Sequence, residues 1–159
     1  MIRELIALDN SSRVWIYQGD RDLSYDEIDA VRPAIFDFVN QWSSHGTEVD
    51  AYGNIFHKRF IALFTDDANH VSGCSIDSSV KFIRHIGNEL SIDFFNREQF
   101  AFLDNDEIFT VDRANLSNAY LEGTISDNTF VFDNLVNSKA KFLKSWLIPF
   151  KDSWHKRFI

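Results

Sequence analysis

The chain has 159 residues, a formal charge of −8 and an apolar fraction of 45%. That length suits one domain able to bury most of its unfolded apolar surface, and that composition excludes intrinsic disorder. No apolar run approaches the roughly 20 residues that a membrane-spanning helix needs, and so acidic a body repels nucleic acid, so neither a membrane nor a nucleic-acid partner is expected.

The first residues, Met1 to Asp9, carry acids within their apolar stretch and no small-residue cleavage site, so no signal peptide is expected. Arg13 to Gln18 is rich in β-branched and aromatic residues and predicts a first strand. Gly19 to Asp22 turns the chain. Ser24 then caps a helix, and Glu27 three residues on completes a capping box. Ile28, Val31, Ile35, Phe38, Val39 and Trp42 recur at helical spacing and predict one apolar stripe. Pro33 within that stripe predicts a kink or a short break, and His45-Gly46 predicts the helix end.

Two strands follow, Glu48 to Ile55 and Lys58 to Thr65, with a turn expected at about Gly53-Asn54. A polar loop from Asp66 to Gly73 leads to a second helix, marked by Ile76, Val80, Ile83 and Leu90, and then to a strand at Phe100 to Leu103. This β-α-β-β-α-β order predicts an α+β fold with a ferredoxin-like core. A C-terminal extension follows the core: a strand at Ile108 to Val111, a helix from Arg113 to Glu122, a strand at Thr129 to Phe132, and a helical tail from Ser138. Trp146, Phe150, Trp154 and Phe158 fall four apart in that tail, which predicts packing on the body or on a second copy. With six glycines, two prolines and no repeat, residues 1–159 are expected to form a single domain.

Charge is unevenly placed. Residues 139–159 hold six Lys/Arg against one acid, Asp152, while the preceding 138 residues hold ten bases against 23 acids. The basic tail suits docking on its own acidic body or on an anionic partner. Sixteen phenylalanines and four tryptophans exceed what a small core needs, which points to a protein interface or a homodimer.

The run Ser72 to Ser79 is the strongest local candidate for chemistry. Its cysteine, Cys74, is the only one in the chain, which excludes an internal disulfide and fits a reducing, cytoplasmic setting. Placed just before a helix that Ser75 or Asp77 would cap, Cys74 would have its thiolate stabilised by the helix dipole. Two readings follow. Cys74 could serve as a nucleophile, with His45 as base and Asp77 in support, in a small cysteine-dependent hydrolase or transferase. Alternatively, the backbone at Gly73, with Ser75 and Ser78, could cradle a small anion or phospho-ligand. Against both stands a capped structural helix with a buried cysteine.

Several signatures are absent. The sixth residue after Cys74 is Val80 rather than the arginine of a tyrosine-phosphatase loop, and no second cysteine makes a thioredoxin-type pair. The histidines (His45, His57, His70, His85 and His155) form neither His-Glu-x-x-His nor a Cys/His cluster, so no metal is expected. Pairs such as Asp66-Asp67 and the run Asp104-Asn105-Asp106-Glu107 lack EF-hand spacing and suit solvated turns. No Gly-x-x-x-x-Gly-Lys-Ser/Thr or Gly-x-Gly-x-x-Gly occurs, so no nucleotide cofactor is expected.

Taken together, Ser12 to Gln18, Gln41 to Gly46, Ser72 to Val80, Phe94-Phe95-Asn96-Arg97, Asn134-Leu135-Val136 and Pro149 to Trp154 resemble a small, uncharacterised bacterial family. Its members often carry the label "ABC transporter ATPase". The resemblance runs from near residue 12 to the end of the chain. It implies a bacterial origin and draws attention to His45, Cys74 and Asp77. The missing phosphate-binding loop makes the label a misnomer for this chain. The leading expectation is therefore a non-catalytic, cytoplasmic binding or protein-interaction domain that self-associates.

Overall fold

A computed structural model describes residues 4–44, 47–48, 50–66 and 73–159, with only the backbone described at 43–44, 47–48 and 73–74. The chain is α+β and builds two compact units, one from Met1–Phe95 with Asn137–Ala140 and the other from Asn96–Val136 with Lys141–Ile159.

The first unit contains β1 (Arg13–Gln18), α1 (Tyr25–Gln41), the short pair β2 (Ser43–Ser44) and β3 (Thr47–Glu48), β4 (Ala51–Phe56), β5 (Phe60–Thr65) and α2 (Gly73–Leu90). An antiparallel sheet of order β1-β5-β4 has β5 at its centre, apolar except for Thr65 and buried at every residue. Ile61 and Leu63 on one face of β5 meet Ile28, Val31, Ile35 and Val39 of α1 and Ile83 and Ile86 of α2 in a single core.

Helix α1 starts where its sequence dictates. Ser24 Oγ accepts the Glu27 N–H at 3.1 Å, and the Glu27 carboxylate accepts the Ser24 N–H at 2.8 Å. Arg21 donates to both Glu27 oxygens at 2.8 and 2.9 Å, and this pairing pulls the Glu27 carboxyl down to about 2. Pro33 does not break the helix, which runs unbroken from Tyr25 to Gln41. Pro33 and Asp29 four residues before it are both exposed, so water can serve the carbonyl that proline leaves without a partner. The helix ends four residues before the expected His45-Gly46. Trp42 takes an extended backbone there and donates its indole N–H to the Ser75 carbonyl at 3.0 Å.

The hairpin between β4 and β5 turns at His57-Lys58, not at Gly53-Asn54. Gly53 lies within β4 because a Cβ there would come within 2.8 Å of Ile35 Cγ2 and of Leu63 Cδ2. His57 and Lys58 have φ of 52° and 58°, and the Arg59 N–H closes onto the Phe56 carbonyl at 3.1 Å. Such a turn favours glycine at its second central position. Lys58→Gly should therefore raise stability by about 0.5–1 kcal/mol, seen as a higher urea midpoint at unchanged slope, even though it removes the exposed Lys58 contact with Tyr25.

The strand expected at Phe100 to Leu103 as the fourth of a ferredoxin-like sheet runs from Gln99 to Asp104 and pairs in the second unit as β6. A tight turn at Asn105-Asp106, with φ of 49° and 64°, folds β6 directly onto β7 (Glu107–Asp112) over six residue pairs. The outer edge of β1 instead receives the segment at Ser138. Arg13 bridges to Ser138, and the Lys139 N–H reaches the Ser12 carbonyl at 2.7 Å. The buried Lys139 ammonium donates to the Leu8 carbonyl at 2.6 Å.

The second unit adds a 3-10 turn at Arg113–Asn115, α3 (Leu116–Leu121), β8 (Phe130–Phe132), α4 (Lys139–Ser145, its first two residues in the first unit) and β9 (Leu147–Pro149). Its sheet has the order β7-β6-β8-β9. The helical tail expected from Ser138, with an interruption at Pro149, is shorter: α4 already stops at Ser145, and 3-10 turns at Phe150–Asp152 and Trp154–Phe158 follow β9. Phe150, Trp154 and Phe158 nonetheless share one core with Phe100, Phe102, Val111 and Val131. Among the described residues no helix is long and apolar enough to cross a membrane.

Candidate functional site

Helix α2 begins at Gly73, so Cys74 lies inside its first turn, and Ser75 and Asp77, expected as caps, lie inside the helix. Ser75 is buried, and its carbonyl accepts both the Trp42 indole N–H and the Ser78 hydroxyl, each at 3.0 Å. The Ser78 hydroxyl thus bonds back onto the helix backbone. Ser79, also buried, donates to the Ile76 carbonyl at 2.7 Å and pairs with the Tyr17 hydroxyl at 3.2 Å. Asp77 is exposed. His45 and Ser72 lie outside the described residues. The fold therefore brings Trp42, Ser75 and Ser78 together, and pairs Ser79 of the same run with Tyr17, which the sequence did not single out as a site residue.

A second polar group lies in the core of the other unit. Ser153 and His155 are 7% and 2% exposed, and the Ser153 hydroxyl bonds to His155 Nδ1 while accepting the His155 backbone N–H at 3.2 Å. Asp133 accepts the Trp154 indole N–H at 2.7 Å and the Leu135 N–H at 3.0 Å. Serine, histidine and aspartate in one neighbourhood suggest a triad, but the wiring differs. Nucleophilic catalysis needs serine on one imidazole nitrogen and the carboxylate on the other. Here the hydroxyl occupies Nδ1 and Asp133 is bonded to the indole and to backbone. Burial pushes the His155 imidazole down to about 4, with Arg157 adding to the shift and Asp133 opposing it. The group is a satisfied core network.

The C-terminal end of α2 opens into a surface cleft of about 420 Å³ lined by Arg84, Asn88, Ser91, Asp93 and Phe95 among others. Its geometry follows from the way α2 stops. Ser91 takes a left-handed φ of 56°, and the Ile92 N–H returns to the Gly87 carbonyl at 3.0 Å. The chain beyond is fixed by reciprocal bonds between Asp20 and Asp93, at 3.0 and 3.1 Å, and by the Phe95 N–H on the Asp93 carboxylate at 2.8 Å. Phe95 packs edge-on against Tyr17 with ring centroids 5.7 Å apart, and the Arg84 guanidinium lies 4.6 Å over the Phe95 ring. Neither Arg84 nor Asn88 makes a side-chain hydrogen bond or ion pair with the described residues. The cleft lining thus includes a guanidinium, a carboxamide, a hydroxyl and a carboxyl group.

The sequence did carry a signal for this cleft. Arg84 and Asn88 share one face of α2 by their i, i+4 spacing, and Ser91 follows just past the helix end, ahead of Phe94-Phe95. Among the described residues no group of three or more His, Cys, Asp or Glu could hold a metal. No protein-family model, curated protein or solved structure matches the chain.

Proposed function

We propose that this protein is a non-catalytic binding domain whose site is the cleft at the C-terminal end of α2. The observation that carries this reading is Arg84, whose guanidinium lies 4.6 Å over the Phe95 ring and whose N–H donors meet no acceptor among the described residues. A guanidinium already held over an aromatic ring gives up less freedom on binding than one extended into solvent. Asn88 and Ser91 supply further donors and acceptors, and Asp93 supplies a negative group, so the cleft suits a small polar molecule carrying both an acidic and a hydrogen-donating end. Phe94 and Phe95 belong to a segment that carries the family resemblance, which fits a role shared across that family. A cytoplasmic, self-associating protein remains the reading that its single cysteine and aromatic content favour.

A titration of the labelled protein with amino acids, dicarboxylates and nucleosides, followed by amide shifts, tests the proposal. Saturable shifts are expected at Arg84, Asn88 and Ser91 and should disappear in Arg84→Ala. A panel that moves none of these residues, or a hydrolase or transferase activity abolished by Cys74→Ser, would overturn it.

A further inference from the structure

We propose that Arg32, Asn54 and Tyr52 form a second site, at the β4 edge of the first sheet, that takes the carboxylate or phosphate group of a small ligand. It shares no residue with the cleft and goes beyond the reading above. Strand β4 pairs only with β5 in its sheet, and the half-buried Arg32 of α1 reaches it by donating from Nε to Asn54 Oδ1 at 3.0 Å. Asn54 Oδ1 also accepts the Ile55 backbone N–H at 2.8 Å. A backbone N–H can only donate, so these bonds settle which end of the carboxamide is the oxygen. Asn54 Nδ2 must then be the donor to the Tyr52 hydroxyl oxygen at 2.8 Å. That leaves the Tyr52 proton to be given elsewhere, and no described residue accepts it.

The arginine is in the same position. Among the described residues Arg32 has no ion-pair partner, and its Nη1 and Nη2 groups have no hydrogen-bond partner. This holds although Asp29 sits one turn earlier on α1 and the chain carries 24 acids. A half-buried guanidinium is ordinarily matched by a carboxylate; here it is matched by a neutral amide, so the positive charge is not offset locally. The polar groups left without a partner among the described residues are the Nη N–H groups and one phenol O–H, all of them donors. Its complement is an oxygen anion, which the guanidinium fork can hold in bidentate fashion while the phenol takes a third bond. The set is pre-organised: Asn54 orients both neighbours, and the Tyr52 ring rests against Phe64 with centroids 6.1 Å apart.

Titrating the full chain separately with sodium acetate and with inorganic phosphate, at constant ionic strength, reads the site through the Asn54 side-chain amide and the Arg32 Nε–H signals. A saturable response to either anion is expected, and the stronger of the two identifies the ligand group as carboxylate or phosphate. Arg32→Gln should weaken binding about tenfold or more, and Tyr52→Phe, which keeps the ring, should weaken it several-fold. If Arg32→Gln fails to fold, Tyr52→Phe carries the test. Wild-type affinity in Tyr52→Phe, or a response that neither saturates nor localises to these residues, would overturn the proposal and leave Arg32 as a clamp between α1 and β4. Shifts at Arg84 or Asn88 have no bearing on it, so the two sites stand or fall separately.

Discussion

Replacing Gly87 with alanine should lower the unfolding free energy by about 2–3 kcal/mol. Helix propensity alone would argue the opposite, since alanine is favoured over glycine by about 1 kcal/mol in a helix interior. The local geometry reverses that preference. A Cβ at residue 87 would lie 2.6 Å from the Ile92 carbonyl oxygen, closer than real Cβ contacts come. That oxygen is backbone, held where it is by the Ile92 N–H on the Gly87 carbonyl and by the burial of Ile92 in the core. Relief therefore requires opening the helix terminus, with loss of its closing hydrogen bond and of the cleft wall. Two comparisons separate this clash from generic glycine effects. At Gly123, where φ is 80° and nothing lies within 4 Å of a Cβ, alanine should cost only about 1 kcal/mol, the price of the left-handed backbone. Ser91→Gly should instead stabilise by about 1 kcal/mol, because it relieves a non-glycine residue at φ 56°. Urea unfolding of the three variants gives the ordering, and a Gly87→Ala loss no larger than that of Gly123→Ala would contradict this account of the terminus.

Gly87 and Gly53 show where sequence reasoning reaches and where it stops. Strand β1 was legible to the residue, because β-branched and aromatic residues fill Arg13–Gln18 between turn signals. The start of α1 was equally legible, since the capping box is a local code. Its end was not. Trp42 continues the apolar stripe of the helix, yet it is buried as an extended residue whose indole finds a carbonyl 33 residues away. Gly53-Asn54 carries a turn signal, but the side chains that require glycine there come from α1 and β5, and no local rule sees them. The four-residue spacing of the tail aromatics was read as a helix, although consecutive 3-10 turns also set three of the four against one core, Phe150 buried and Trp154 and Phe158 partly so. The strand β6 was found, but the choice between two sheets depends on the Asn105-Asp106 turn and on the long-range pairing it makes easy. The run at Ser72–Ser79 was visible because it is contiguous. Arg32, Asn54 and Tyr52 were not, because they join a helix to a strand 22 residues further along the chain.

Acid should destabilise the second unit between about pH 6.5 and pH 4, and His155 should account for about 3 kcal/mol of the loss. The His155 ring is 2% exposed, lies edge-on to Phe100 at 4.5 Å and stacks on Trp154 at 3.8 Å. Burial among these rings holds its folded-state value at about 4, against 6.5 for an ordinary histidine. Ser153 contributes by geometry. Its hydroxyl can give its proton to Nδ1 while its oxygen accepts the His155 backbone N–H, an arrangement that suits the neutral ring. The sign follows directly. Between the two values the unfolded chain binds the proton and the folded chain does not, so stability is complete above the unfolded value and falls as pH drops toward the folded one. Glu27 titrates in a lower window: its carboxyl is held at about 2, so its contribution disappears only below the ordinary carboxylate range. It is also a largely exposed pair with Arg21 and contributes little. Urea unfolding at pH 7 and pH 4, followed by tryptophan fluorescence, measures the effect. His155→Phe keeps an aromatic ring between Phe100 and Trp154 and removes the titrating group, so the variant should be less stable than wild type at pH 7 and flatter across this range. An unchanged pH dependence in His155→Phe would show that the acid sensitivity comes from carboxylates instead, and that the ring's burial carries no proton linkage.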